Sequence, residues 1–285
     1  MKALTISARK LTLAVAVAVS ALAGHAEAKD WQNVTIVLEG GYEPWNLTRP
    51  DGSLDGFEPE LAQNLCARMK VKCKLIAQDF DGMMAGLKIG KFDVIMDALS
   101  ITDERKKEIA FSVPYASTPA VFAALKTGPM AKLAGTGKGV RLTGNATSDK
   151  PTVDALRSAL KGKTIGIQAA TVYSPFIYNN FKDIATIREY KTAAEHDLDL
   201  STGRIDVAFD DATYFLSAFA NPANKNLAST GPELSGPIWG EGEALGLRKS
   251  DPELKAKFDT AIKAALADGT VKKLSEKWFK LNVTP

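Results

Sequence analysis

One arginine and a scatter of acids stand where the short apolar runs of this chain end. Val34-Thr-Ile-Val-Leu38 leads into Glu39-Gly40-Gly41-Tyr42-Glu43-Pro44-Trp45, Lys74–Ala77 into Asp79-Phe80-Asp81, and Phe92–Met96 into Asp97-Ala98-Leu99-Ser100-Ile101-Thr102-Asp103-Glu104-Arg105. Further on, Lys163–Ile167 gives way to Gln168-Ala169-Ala170-Thr171, and Asp206–Phe209 to Asp210-Asp211. Arg105 carries the most information. Thr102 suits a helix N-cap, with Asp103 and Glu104 in the first turn, where acids suit the dipole. A cation at that end is disfavoured unless it and the free backbone N–H groups hold an anion together. A guanidinium grips a carboxylate through two parallel hydrogen bonds. The plainer reading is a solvated side chain in the basic run Arg105-Lys106-Lys107.

Thr171 precedes a second helix start, with Pro175 in its first turn; its N–H offers another donor to the same carboxylate, or it is simply a cap. Glu39, Asp97 and Asp211 offer acceptors for cations. Equally, Glu39 reads as a turn residue before Gly40-Gly41, Asp97 as a solvated strand end and Asp211 as an N-cap. Tyr42 and Phe80 could clamp a flat or aliphatic group, including a cation over a ring face, with ordinary core as the alternative.

The elements that must position these residues alternate. Val34–Leu38, Lys74–Ala77 and Phe92–Met96 read as strands; Glu58–Met69 and Met83–Ile89 read as helices, the second closed by Gly90. The pattern restarts with strands at Lys163–Ile167 and Asp206–Phe209 and helices from about Val172, over Ala194–Thr202 and over Ala212–Phe219. Strands separated by helices predict an α/β fold with mainly parallel sheets, built as two lobes of similar design. In open sheets of this kind, ligands sit at the carboxyl ends of the strands. Lys126–Asp149, rich in Gly, Thr and Lys with little periodicity, reads as a long mobile surface excursion. Asp251–Trp278 reads as strongly helical.

The start of the chain is a different kind of sequence. Lys2, Arg9 and Lys10 precede the apolar run Leu11–Ala23, and Ala26-Glu27-Ala28 has the small-x-small form of a signal-peptidase site, which predicts cleavage after Ala28 and export. The 285-residue chain carries a net charge of +3, and losing residues 1–28 removes three basic residues and one acid, leaving about +1. Such a near-neutral protein lacks the field that nucleic acid requires. His196 is then the sole histidine, which argues against a His-rich metal site and a Ser-His-Asp triad. No metal or cofactor is expected. In an oxidising compartment, Cys66 and Cys73 favour one short bridge from a helix end to the next strand over two buried thiols.

The ordered set Glu39-Gly-Gly-Tyr42-x-Pro44-Trp45, Gly56-Phe57-Glu58, Ser100-Ile101-Thr102-x-x-Arg105 and Phe111-Ser112-x-Pro114-Tyr115, followed by Gly203-Arg204-Ile205-Asp206, Asp268-Gly269-Thr270 and Trp278-Phe279, resembles the polar-amino-acid family of periplasmic binding proteins. The match runs over the mature chain. It is nearest in character to lysine/arginine/ornithine- and histidine-binding proteins and to octopine/nopaline binders. The Cys66/Cys73 spacing matches the former; Glu39, Gln168 and an insertion at 126–153 match the latter.

The resemblance implies the two-lobed periplasmic-binding-protein fold of type II. Lobe 1 is residues 29–116 and 243–285, lobe 2 residues 120–234, with hinge segments 117–119 and 235–242. The family works as periplasmic monomers in Gram-negative cells and delivers amino acids to an ABC permease in the inner membrane. Carried over, Arg105 and the N–H groups of Ser100 and Thr171 bind the ligand carboxylate. Asp211, the Ala98 carbonyl and the Ser100 hydroxyl bind its ammonium. Tyr42 and Phe80 sandwich the side chain, Glu39 and Asp97 lie toward its far end, and Gln168 and Tyr173 line the wall of lobe 2. Three carboxylates against one guanidinium favour a cationic ligand: arginine, lysine, ornithine, histidine or a guanidino opine. The competing reading is a cyclohexadienyl dehydratase of the same fold, with Glu39, Asp97 or Asp211 as general acid.

Overall fold

The computed structural model describes residues 31–285. The signal segment and its cleavage point lie outside them. Strand β1 (Asn33–Leu38) is fully apolar at its end, with Ile36, Val37 and Leu38 buried. A small antiparallel sheet follows, of β2 (Gly41–Tyr42), β3 (Asn46–Thr48) and β4 (Leu54–Asp55). Helix α1 (Phe57–Met69) buries Phe57, Leu61 and Leu65, spaced four residues apart on one face, and leads to β5 (Lys72–Ala77), which lies parallel to β1. Cys66 of α1 is bonded to Cys73 of β5, their Cα atoms 6.1 Å apart, so the helix-to-strand bridge forms and the free-thiol reading falls. Helix α2 (Met83–Lys88) returns the chain to β6 (Val94–Ile95), parallel to β1 on its other side. Helix α3 (Asp103–Glu108) and β7 (Ala110–Phe111) complete this half.

The chain then crosses into β8 (Ala120–Leu125) of a second sheet. Its further elements are β9 (Gly139–Arg141), α4 (Ala146–Leu160), β10 (Thr164–Gln168), α5 (Tyr173–Phe181), β11 (Thr186–Tyr190), α6 (Ala193–Ser201), β12 (Val207–Asp211), α7 (Ala212–Ala218) and β13 (Leu227–Ser235). The order is β11-β10-β12-β8-β13-β9: parallel through β11, β10 and β12, antiparallel on both sides of β8. The chain crosses back to β14 (Gly246–Leu247), which sits antiparallel between β6 and β7 and closes the first sheet as β5-β1-β6-β14-β7. Helices α8 (Pro252–Ala267) and α9 (Thr270–Phe279) pack on α1. The chain is thus a two-lobed α/β fold, each lobe built on one sheet.

The structure refines two expectations. The stretch 126–149 is not a structureless excursion. It holds β9, paired with β13, and the start of α4, whose N-cap Asn145 accepts the N–H groups of Thr147 and Ser148. Asp149 lies in that first turn and accepts the N–H groups of Thr143 and Gly144, locking the loop before the helix. Leu156 and Leu160 then anchor the helix in the core, each contributing roughly 1.5–3 kcal/mol of burial. Polar capping residues had masked this order, because they satisfy backbone groups without any apolar period. The C-terminal helical stretch is also two helices, divided at Gly269, where φ is 77°.

The returning crossing segment depends on glycine. Gly240 has φ 102°, and a Cβ there would stand 2.1 Å from the Ile101 carbonyl oxygen; at Gly242, φ 101°, it would stand 2.6 Å from that of Ala116. This close approach lets Ile101 donate to the Gly242 carbonyl (2.9 Å) and Glu241 donate to the Ile101 carbonyl (3.1 Å), tying the crossing to the loop that carries Arg105.

Candidate functional site

Thr102 caps α3 as its position predicts: its hydroxyl accepts the Arg105 N–H at 3.2 Å. The Arg105 guanidinium turns into the molecule. Nη1 donates to the Ser100 carbonyl at 3.0 Å, Nη2 to the Ala170 carbonyl of the other lobe at 3.2 Å, and Cζ lies 5.8 Å from the centre of the Phe80 ring. Burial lowers its pKa to about 10, so it remains a fixed cation at neutral pH and is no side chain of a wet basic face. Phe80 is half-buried, packed at the edge of the lobe 1 core. Ala170, whose carbonyl accepts from this cation, and Ala98, two residues before Ser100, both have left-handed backbones, with φ of 62° and 44°. Alanine resists that region, and such strain collects at ligand clamps. Glu58 holds the Ala98 peptide by accepting its N–H at 2.7 Å.

The acids divide into different roles. Glu39, at the end of β1, meets Gln168, at the end of β10, whose amide donates to both its oxygens. Burial raises the Glu39 pKa to about 7, against the pull of Gln168 and with help from Asp210, Asp79 and Asp81. Asp97 is neither wet nor free. It is 4% exposed and accepts the Glu39 N–H at 2.9 Å and the Asn46 side-chain amide at 2.7 Å, which ties the end of β6 to the β1 turn. Burial, then the charges of Glu58 and Glu39, push its carboxyl well above the usual range. Asp211 is the N-cap of α7, accepting the N–H groups of Thr213 and Tyr214 on one oxygen and the Thr118 hydroxyl on the other. Burial raises its pKa too.

The aromatic residues bridge the lobes. Tyr42 stacks on Tyr214 with centroids 4.8 Å apart and planes within 3°, and its hydroxyl donates to Asp210 at 2.5 Å. Tyr214 therefore covers one face of Tyr42, which is itself buried. Trp45 donates to the Thr213 hydroxyl at 3.0 Å, and Lys191 pairs with Asp79 at 2.7 Å. Tyr173 stands edge-on between Phe209 and Trp239, and its phenol is pushed up by burial and then by Asp211, Asp210 and Glu243, with Arg105 opposing. Thr171 donates its hydroxyl to the Gln168 carbonyl at 2.9 Å, just ahead of α5. A cavity of about 830 Å³ opens beside it, lined by Thr102, Arg105, Ala170, Thr171, Ser174 and Glu241.

Sequence reasoning missed several members of this set. His196 is fully buried, with Nε2 at 3.0 Å from Asp210. Burial opposes its charge, but the neighbouring carboxylates of Asp197 and Asp210 outweigh that and raise its pKa to about 9. It is a cation that neutralises the acid bonded to Tyr42. Glu243, in the returning crossing segment, lies 3.3 Å from the Thr118 hydroxyl that also serves Asp211. An acid set among the glycines of Gly240-Glu241-Gly242-Glu243 was the available signal for it.

Comparison with known proteins follows the same lines. The model of the bacterial extracellular solute-binding proteins, family 3, matches residues 34–281. The octopine-binding periplasmic protein of Rhizobium meliloti is 42% identical over 93% of this chain and 95% of its own length. The L-arginine-binding protein of Pseudomonas aeruginosa is 34% identical over 96% of this chain and 98% of its own. Among solved structures, an ancestral arginine-binding protein bound to arginine superposes with a TM-score of 0.73 at 26% identity, covering 87% of this chain and 98% of that one. A periplasmic His/Glu/Gln/Arg/opine family-binding protein from Silicibacter pomeroyi in complex with lysine gives 0.70 at 29% identity, covering 88% and 99%.

Proposed function

Because this chain belongs to the bacterial extracellular solute-binding proteins, family 3, we propose that its lobes close on an amino acid with a cationic side chain and present it to an ABC permease in the inner membrane. The observation that carries this reading is that Arg105, with His196 already taken up by Asp210, faces an excess of buried or half-buried acid in Glu39, Asp97, Asp211 and Glu243. Arg105 reaches both lobes, donating to Ser100 on one side and Ala170 on the other. In the ligand complex its guanidinium takes the α-carboxylate, joined by the N–H groups of Ser100 and Thr171. Asp211, the Ala98 carbonyl and the Ser100 hydroxyl take the α-ammonium. Tyr42 and Phe80 flank the side chain, Tyr173 and Gln168 form the lobe 2 wall, and Glu39 meets the distal cation. Asp97 acts behind Glu39, by holding its N–H.

Charge decides the side chain. A zwitterion balances Arg105 and Asp211 and leaves Glu39 unmatched. Burying an unpaired carboxylate costs several kcal/mol or forces its protonation, and the upward shift of Glu39 to about 7 is the second outcome. An ammonium or guanidinium supplies the missing charge. Ligands that touch both lobes favour the closed state, in which those acids are covered. The relatives at hand are binding proteins, which supports capture over dehydration.

The mature protein is further proposed to begin after Ala28, to act as a periplasmic monomer and to bend at residues 117–119 and 235–242. Titration calorimetry with arginine, lysine, ornithine, histidine and octopine tests the central reading. Binding of at least one in the low micromolar range or tighter is expected. The absence of heat with all of them would overturn it.

A further inference from the structure

Glu243 has a carboxylate oxygen left without a partner among the described residues. The residue is 7% exposed, and its Oε2 is buried with no hydrogen-bond partner among the described residues. Buried polar groups in native structures nearly always find a partner, so such an orphan requires an explanation. Its backbone is fixed: the N–H donates to the Ala116 carbonyl at 2.9 Å, and its own carbonyl accepts the Tyr115 N–H at 2.9 Å. It also bridges Ser100, the residue after which the chain turns into Arg105. Its side chain shares the Thr118 hydroxyl with Asp211. A hydroxyl carries one proton, so it cannot donate fully to both. Asp211 has its own donors in Thr213 and Tyr214, so the shortage falls on Glu243, which meets Asp211 through Thr118 and pairs by its backbone with Ser100.

Resting on the proposed amino-acid cleft, we infer that Glu243 is a second anionic contact for the ligand's α-nitrogen and makes the site select amino acids whose α-ammonium is unsubstituted. A primary ammonium has three N–H donors. Asp211, Glu243 and the Ala98–Ser100 strand end give each of them an acceptor. An N-carboxyalkyl derivative, the opine chemistry, has two donors and places an extra carboxylate at this corner, against Asp211 and Glu243. The same geometry then repels what it fails to bind. The preferred solute is accordingly a free cationic amino acid rather than its opine. Burial, followed by the charge of Asp211, also raises the Glu243 carboxyl to about 8, so a cation arriving beside it displaces a proton.

The test uses the full mature protein, L-arginine and octopine, with calorimetry at pH 7.5 in two buffers of different ionisation enthalpy. Wild type should bind arginine at least tenfold more tightly than octopine and release protons on binding. Glu243→Gln should lose at least tenfold in arginine affinity, change less than threefold for octopine and release fewer protons, while its thermal midpoint stays at or above that of wild type. Glu243→Asp should recover part of the arginine affinity. Equal losses for both ligands, or unchanged proton release, would overturn the inference while leaving the cleft reading intact. A wild type that prefers octopine would overturn it alone, and this comparison decides even if Glu243→Gln does not fold. A wild type that binds no amino acid removes the cleft reading, and this inference with it.

Discussion

The amide of Gln168 donates to both carboxylate oxygens of Glu39, at 3.2 and 3.1 Å, so the ends of β10 and β1 meet across the two lobes. A neutral donor holds an acid whose natural counter-ion is a cation. Gln168 orients Glu39 without neutralising it.

Glu39→Gln removes that charge and keeps its shape. A hydrogen bond to a charged group contributes about 1.5–3 kcal/mol, or roughly 10- to 150-fold in affinity. The variant should weaken arginine by at least about tenfold and a neutral amino acid such as glutamine by less than about threefold, as read by calorimetry. Equal losses would refute the role of Glu39 at the distal cation.

The buried acids also set a pH dependence. Glu39 is raised from 4.5 to about 7, Glu243 from 4.5 to about 8, and His196 from 6.5 to about 9. In all three the folded state holds its proton more tightly than the unfolded chain. Their stabilisation is present below the unfolded values and is lost as pH rises through the folded ones. The unliganded protein should therefore lose thermal stability from about pH 5 to about pH 9. Saturating arginine should flatten the Glu39 and Glu243 part, because the bound cation replaces the lost protons. A midpoint that rises steadily over this range would contradict the assignment.

Gly240→Ala tests the crossing segment. The new Cβ would meet the Ile101 carbonyl oxygen at 2.1 Å with φ at 102°. Backbone strain alone costs about 1–3 kcal/mol, and the clash adds to it. A fall in thermal midpoint of several degrees is expected, with weaker arginine binding because Ile101 precedes Thr102 and Arg105. An unchanged midpoint would show that the segment is looser than these contacts imply.

Breaking the Cys66–Cys73 bridge should matter little. The loop closed spans a sequence separation of 7. Chain-entropy arguments limit its contribution to about 2–3 kcal/mol. Cys66→Ser with Cys73→Ser should lower the midpoint by a few degrees and leave arginine affinity within about twofold. A larger loss of binding would tie the bridge to the cleft.

Much of this was legible because strand ends in an α/β fold announce themselves. Thr102 before two acids marked the start of α3, and Arg105 followed from its place on that turn. Asp211 was readable as both cap and acceptor, and the structure shows the cap. Asp97 was harder. Its partners, the Glu39 N–H and the Asn46 amide, come from 58 and 51 residues away, and no local pattern encodes that meeting. His196 looked like a lone histidine because it lies on helix α6 while the acid it pairs with, Asp210, lies near the end of strand β12. Tyr214, which covers Tyr42, read only as part of an amphipathic helix. The order of 139–160 was hidden for a different reason: its caps are polar, and its two anchoring leucines come late.

The most direct measurement is a crystal structure of the mature protein with L-arginine bound. The Arg105 guanidinium is expected in a paired contact with the ligand carboxylate, with the ligand's α-ammonium at Asp211 and its guanidinium at Glu39, between the closed lobes. A ligand bound elsewhere, or Arg105 turned to bulk solvent with the cleft empty, would contradict it.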